Sequence, residues 1–295
     1  MSERRVLAGG PAAGTSAGLL VTGAAERAAA EAPVLVERSG GVTWVTMNRP
    51  AALNATTEEM HAQLYEAFTA AAADRGCRVL VLTGAGDRAF CIGSDLGFLT
   101  EALTGDDPDF GLFEAYLRRL NRVVFALESV PVPTIAMVQA KARASGFELA
   151  VACDLMLIAD TARIGDVHTP YGHMPGAGAT QRTIRRLGLQ RGLELLWTGR
   201  WLSAAEAVEV GLALRAVPAA ELRAHTAAFA GQLAALPGDA VRHIKAAVYG
   251  GLGLPIRDGV AVETREYLEL LRTSTGPVDG FRAGQQSRTA RRDVP

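Results

Sequence analysis

The chain is poor in cysteine. Three cysteines in 295 residues, Cys77, Cys91 and Cys153, lie far apart and form no C-x-x-C pair. That excludes a disulfide framework and points to a reducing, cytoplasmic setting. A long apolar run is also missing, so no membrane span is expected. With 30 basic and 31 acidic residues the net charge is −1. There is thus no basic excess of the kind a nucleic-acid surface needs. No metal site and no bound cofactor are expected. What the chain does have is apolar content, 49%, enough for a substantial core.

Residues 1–33 are rich in Ala and Gly. Arg4 and Arg5 precede a mildly apolar run, but Gly and Pro interrupt it and no compact signal-peptide core forms. These residues read as a flexible leader. Val34 to Arg38, the turn Ser39-Gly-Gly41 and Val42 to Met47 predict a β-hairpin. A helix follows from Thr57, with Met60, Leu64, Phe68 and Ala71 on one face. Arg78 to Thr83 reads as a buried strand. A second long helix runs to about Glu128, with Phe113, Leu117, Leu120, Val124 and Leu127 at helical spacing. Ser129-Val-Pro-Val-Pro133 stops it, because proline cannot continue a helix. Ser203-x-x-Glu206 is a capping box opening a short helix. From Glu221 the pattern is almost wholly helical.

The stretch Pro133 to Arg182 organises the rest. A strand, Thr134 to Val138, leads to the small-residue turn Ala144-Ser145-Gly146 and a helix from Phe147. A second strand, Leu155 to Ile158, leads to a loop holding Asp166, His168, His173 and Pro175-Gly-Ala-Gly178. A helix start leaves backbone N–H groups unpaired and partly positive, and small residues let a ligand oxygen approach them. Taken alone, Ser145-x-x-Glu148 reads more simply as a capping box. A second junction of the same kind, Phe90-Cys-Ile-Gly-Ser-Asp-Leu96, shifts the balance towards a paired oxyanion site.

Together these stretches resemble the crotonase superfamily, the enoyl-CoA hydratases and isomerases. The family's F-[CA]-x-G-x-D-[LI] segment is matched by Phe90 to Leu96. Its G-G-x-E-[LI]-A-x-x-C-D segment is matched by Ser145 to Asp154. Pro175-Gly-Ala-Gly-Ala-Thr-Gln-Arg182 matches a further signature. The resemblance spans roughly residues 34–282. It implies an α/β fold: a spiral of ββα units over residues 34–220, with a helical oligomerisation region at 221–295. It implies a homotrimer or a dimer of trimers. It further implies that the N–H groups of Ser94 and Ser145 hold a thioester oxygen, and that Glu148 moves a proton. Ala52, Leu53, Ile92, Asp95 and Gly146 fall where the family binds its acyl-CoA. Coenzyme A then enters as part of the substrate.

The second glutamate of the hydratases falls on His168. Histidine also carries protons near neutral pH, and Asp166 is the candidate to orient it. A histidine at this position resembles the β-diketone hydrolase (6-oxocamphor hydrolase) branch, which cleaves a C–C bond without CoA. There His61 and Glu263 match further positions, although two others fall on Ala177 and Gly146 and are lost. The simplest reading of His61 and Glu263 is a helix-surface residue each. Three functions therefore compete: an enoyl-CoA hydratase or isomerase, a cyclic β-diketone hydrolase, and a non-catalytic binding subunit. The first is the one the paired junctions and Glu148 favour.

Overall fold

The computed structural model describes residues 3–5, 32–95, 97, 100, 103, 104 and 108–282. The expected leader, residues 1–33, lies almost wholly outside them, as does the tail after Arg282. The hairpin forms as predicted, from β2 (Val34–Ser39) and β3 (Val42–Met47). On its outer side β1 (Glu3–Arg5) pairs antiparallel with β2. Helix α1 (Glu58–Ala73) follows, capped by the Thr57 hydroxyl, which accepts from Met60 N at 3.2 Å. Its predicted stripe is buried, and so is His61.

Three strand pairs then repeat. They are β4 (Val79–Gly84) with β5 (Ala89–Cys91), β6 (Thr134–Val138) with β7 (Lys141–Arg143), and β8 (Leu155–Ala159) with β9 (Arg163–Gly165). The first strand of each pair joins a seven-stranded sheet, ordered β1-β2-β3-β4-β6-β8-β11. The second joins a four-stranded sheet, ordered β10-β9-β7-β5. Helices α2 (Phe110–Glu128), α3 (Ser145–Ala152) and α4 (Ala179–Leu187) follow the three pairs in turn. This is the ββα spiral expected from the sequence. All six residues of β4 are buried, as suits a parallel strand covered on both faces.

Helix α5 (Leu189–Thr198), β10 (Leu202–Ser203), α6 (Ala204–Glu209) and β11 (Arg215–Val217) close the spiral. Both halves of the Ser203–Glu206 capping box form. Helix α7 (Leu222–Ala234) packs on β3, β4, β6 and β8. Its contacts place it with the spiral, so the first compact unit runs to Ala234, beyond the boundary at 220 drawn from sequence. Among the described residues the second unit comprises 131–133 and 235–282. There α8 (Gly238–Gly251) and α9 (Ile256–Thr273) pack on each other, with His243 Nδ1 3.0 Å from Glu266 Oε2. Among the described residues no helix is long and apolar enough to cross a membrane.

Candidate active site

The topology explains why distant residues meet. Strands β5, β7 and β9 are parallel neighbours in the small sheet. Their C-terminal ends therefore open on the same side. Ser94 follows β5, Ser145 follows β7, and Asp166 and His168 follow β9. A 2.9 Å bond between Ser94 Oγ and Ser145 Oγ confirms that the first two junctions touch. The third joins them through Ala144, whose N–H donates to the Asp166 carbonyl at 3.1 Å.

Two glycines permit this convergence. Gly93 has φ +107°, and a Cβ there would stand 2.9 Å from Ala144 Cβ. A Cβ on Gly146 would lie 2.1 Å from the Cys91 carbonyl oxygen. Any larger side chain would push α3 away from the end of β5. The backbone between is strained: Ala144 has φ +49° and ψ −124°, and Val167, a β-branched residue, has φ +56°. Ala144 adjoins Ser145, and Val167 lies between Asp166 and His168.

Ser145 opens α3 and does not cap it. The N-cap is Ala144, without a side-chain cap bond. The capping-box reading is therefore corrected. Glu148 points instead to the Pro175–Gly178 loop, where its Oε1 accepts from Ala177 N at 2.6 Å and Ala179 N at 3.3 Å. Its side chain is buried at 1% exposure. Burial pushes its pKa up to about 7, against the pull of the Ala177 N–H, the His168 charge and the Ala179 N–H. A carboxyl poised there exchanges a proton readily at neutral pH.

His168 follows β9, with 18% of its side chain exposed. Its Nδ1 is 3.0 Å from Oδ1 of fully buried Asp166. Burial opposes charging the ring. The hydrogen bond and charge of Asp166, with the charge of Glu148, outweigh it and hold His168 above its ordinary value. Asp166 thus orients the ring and leaves Nε2 for other work. His173, further along the loop, is exposed.

The other expected residues are spread around this centre. Ala52 ends a short 3-10 turn and Leu53 follows it in the left-handed region. Buried Asn54 holds that turn: its amide donates to Ala85 O at 3.0 Å and Ala89 O at 2.8 Å, and its Oδ1 accepts from Arg49 N at 2.9 Å. The Ile92 carbonyl accepts from Arg143 Nε at 2.9 Å. Asp95 is exposed and pairs with Arg49 at 3.2 Å. Glu263 is exposed on α9 of the second unit. His61, read from sequence as a surface residue, is only 3% exposed. Its ring lies 5.8 Å from that of Tyr116. Cys91 is no nucleophile, since burial pushes its thiol up to about 12. Among the described residues no group of His, Cys, Asp and Glu could hold a metal ion.

Tyr116 is the site residue that sequence reasoning missed. It lies on the buried face of α2 with Leu120, Val123 and Leu127. Its hydroxyl bonds to Ser94 Oγ. A polar-tipped aromatic on an apolar stripe was the available signal.

The sequence profile of the enoyl-CoA hydratase/isomerase family matches residues 37–275. The mitochondrial enoyl-CoA hydratase domain-containing protein 2 of Mus musculus is 36% identical over 252 residues, 84% of this chain and 83% of its own length. A short-chain-enoyl-CoA hydratase of Clostridium acetobutylicum is 30% identical over 240 residues, 81% of this chain and 90% of its own. The crystal structure of an enoyl-CoA hydratase from Bacillus anthracis superposes with a TM-score of 0.80 at 30% identity, covering 86% of this chain and 96% of that one.

Proposed function

The chain belongs to the enoyl-CoA hydratase/isomerase family, and we propose that within it the protein hydrates an enoyl-CoA thioester. The observation that supports this is that Glu148, in the first turn of α3, and the His168–Asp166 pair, after β9, follow adjacent parallel strands beside the Ser94–Ser145 junction. The thioester oxygen sits between the N–H groups of Ser94 and Ser145. His168 Nε2 takes a proton from water as the water oxygen bonds to the β-carbon. The electron pair of the double bond moves towards the thioester oxygen, and the two N–H groups hold the resulting enolate. Protonated Glu148 then delivers its proton to the α-carbon. Passage of the proton from His168 to Glu148 restores the site.

Crotonyl-CoA tests this, followed by loss of its enoyl-thioester absorbance. His168→Ala separates hydration, which needs both groups, from double-bond migration, which needs Glu148 alone. Hydration is expected to fall by about 10²-fold or more in that variant. Full retention would overturn the role of His168.

A second reading rests on the same His168–Asp166 pair. A histidine oriented by a buried carboxylate is also a base for adding water to a ketone, and a cyclic β-diketone would then be cleaved without CoA. Diketone turnover abolished in His168→Ala, with CoA thioesters ignored, would favour it. The acyl-CoA reading ranks first because the chain's similarity runs to enoyl-CoA hydratases.

The assembly we propose is a homotrimer or a dimer of trimers. The second unit leaves Ile244, Val248, Leu252 and Ile256 exposed, Ile256 by 81%. Apolar side chains in that density suit a surface covered by further copies.

A further inference from the structure

The two N–H groups assigned to the thioester oxygen stand past the strand ladder that joins their elements. The last paired residues of β5 and β7 are Cys91 and Ala142. Ser94 and Ser145 each lie three residues further on (94 − 91 and 145 − 142). On one side the Ser94 segment is held by backbone: Thr56 N donates to Gly93 O and Asp95 N to Thr56 O, both at 2.9 Å. Towards α3, side chains span the gap. Arg143 Nε donates to the Ile92 carbonyl at 2.9 Å. Ser94 Oγ and Ser145 Oγ share a hydrogen bond at 2.9 Å. The Tyr116 hydroxyl bonds to Ser94 Oγ and interacts with Ser145 as well. Three elements thus meet through three hydroxyls: the end of β5, the start of α3 and the buried face of α2.

Fold stability alone does not call for hydroxyls at this place. Tyr116 is buried, and so is Ser145. The rings of Phe113 and His61 flank the phenol at 6.2 and 5.8 Å. A buried hydroxyl must be hydrogen-bonded, whereas apolar side chains would fill the same volume without that requirement. Two of the three hydroxyls belong to the residues whose N–H groups receive the oxygen. Burial, against the bonds to Ser94 and Ser145, pushes the Tyr116 phenol up from 10.0. It therefore brings no charge against an enolate. Oxyanion donors act only where they are aimed, and a misplacement of about 1 Å costs about 10²-fold.

We propose that Tyr116 is a positioning residue of the oxyanion site: through the hydroxyls of Ser94 and Ser145 it fixes the spacing of the two N–H groups that receive the thioester oxygen. This rests on the acyl-CoA reading above and adds to it a residue that acts through the two serines.

The conjugated thioester 4-(dimethylamino)cinnamoyl-CoA reads the site without turnover, because its absorbance moves to longer wavelength when hydrogen-bond donors polarise the carbonyl. Wild type is expected to bind it with such a shift. Tyr116→Phe should bind it within about threefold of the wild-type Kd, with about half the shift or less. Its kcat on crotonyl-CoA should fall about 10-fold with KM within about threefold, the mark of an interaction lost in the transition state. Ser94→Ala keeps the N–H and cuts the same link from its other end. It should show both losses, and it decides alone if Tyr116→Phe does not fold. The two substitutions together should lose less than the product of their single effects, since both break one chain of bonds. A merely structural Tyr116 would lower the melting temperature and leave shift and kcat alone. That result overturns the inference and leaves the acyl-CoA reading standing. So does an undiminished shift in Ser94→Ala, or a double variant whose losses multiply. If the wild-type protein binds the probe without a shift, or binds no thioester, both fall.

Discussion

At the residue scale the proposed chemistry rests on two groups whose pKa values are raised, Glu148 to about 7 and His168 above its ordinary value. Glu148 must be protonated to act as the acid, and that form is lost as pH rises through about 7. His168 must be neutral to act as the base, and that form is lost as pH falls through its raised value. The account predicts a bell-shaped kcat/KM profile whose limbs belong to the coupled pair. Asp166→Asn removes the carboxylate that raises His168. The acid limb should move to lower pH and kcat should drop, as measured by steady-state rates across pH 5 to 9. Glu148 also makes a stability prediction. Its folded pKa lies above the ordinary 4.5, so its contribution to folding is full below 4.5 and lost as pH rises through about 7. Glu148→Gln should therefore gain in melting temperature over wild type more at pH 8 than at pH 5. An equal difference at both would contradict the raised pKa. Ala144 offers a third check. Its φ of +49° favours glycine, and Ala144→Gly should stabilise by about 1 kcal/mol in urea unfolding.

At the element scale the site depends on how closely α3 approaches the end of β5. Gly146→Ala puts a methyl against the Cys91 carbonyl, and the account predicts a loss of about 3 kcal/mol together with loss of activity. The loop that faces Glu148 is held from behind. Arg182 makes a double ion pair with Glu128 and donates to the Ala177 carbonyl at 2.6 Å. Arg182→Met should lower kcat more than it raises KM, and should shift the alkaline limb, because the Ala177 N–H that steadies the Glu148 carboxylate is set loose. Much of this scale was legible beforehand. The hairpin, the strand at β4, the helix stripe of α1 and the Ser203–Glu206 box all follow from local pattern. The meeting of the Ser94 and Ser145 junctions was implied by the family resemblance that the two motifs carry, not by local pattern. The Ser145–Glu148 spacing was ambiguous by itself, since a capping box and a helix aiming a carboxyl at a distant loop share one spacing. What separates them is a contact 29 residues along the chain, and short-range pattern does not carry it. Tyr116 escaped, and His61 was read as a surface residue, for a similar reason. Each sits on a helix whose burial is decided by the element packed against it.

At the scale of the whole molecule, one idea links fold and function. Alternate strands of the spiral go to different sheets, so the ends of β5, β7 and β9 gather residues that lie up to 74 positions apart (168 − 94) at one place. The helical second unit is separate in its contacts, and its exposed apolar face argues for copies of the chain meeting there. Light scattering at micromolar concentration should give the mass of a trimer or hexamer. A monomer would refute the assembly proposed here.

The central claim is that Glu148 and His168 together hydrate an enoyl thioester. The most direct measurement is crotonyl-CoA hydration by the purified protein beside its Glu148→Gln variant. The account predicts turnover by wild type and a fall in kcat of about 10²-fold or more in the variant. Undiminished hydration by Glu148→Gln, or none by the wild-type protein under conditions where it binds the thioester, would contradict it.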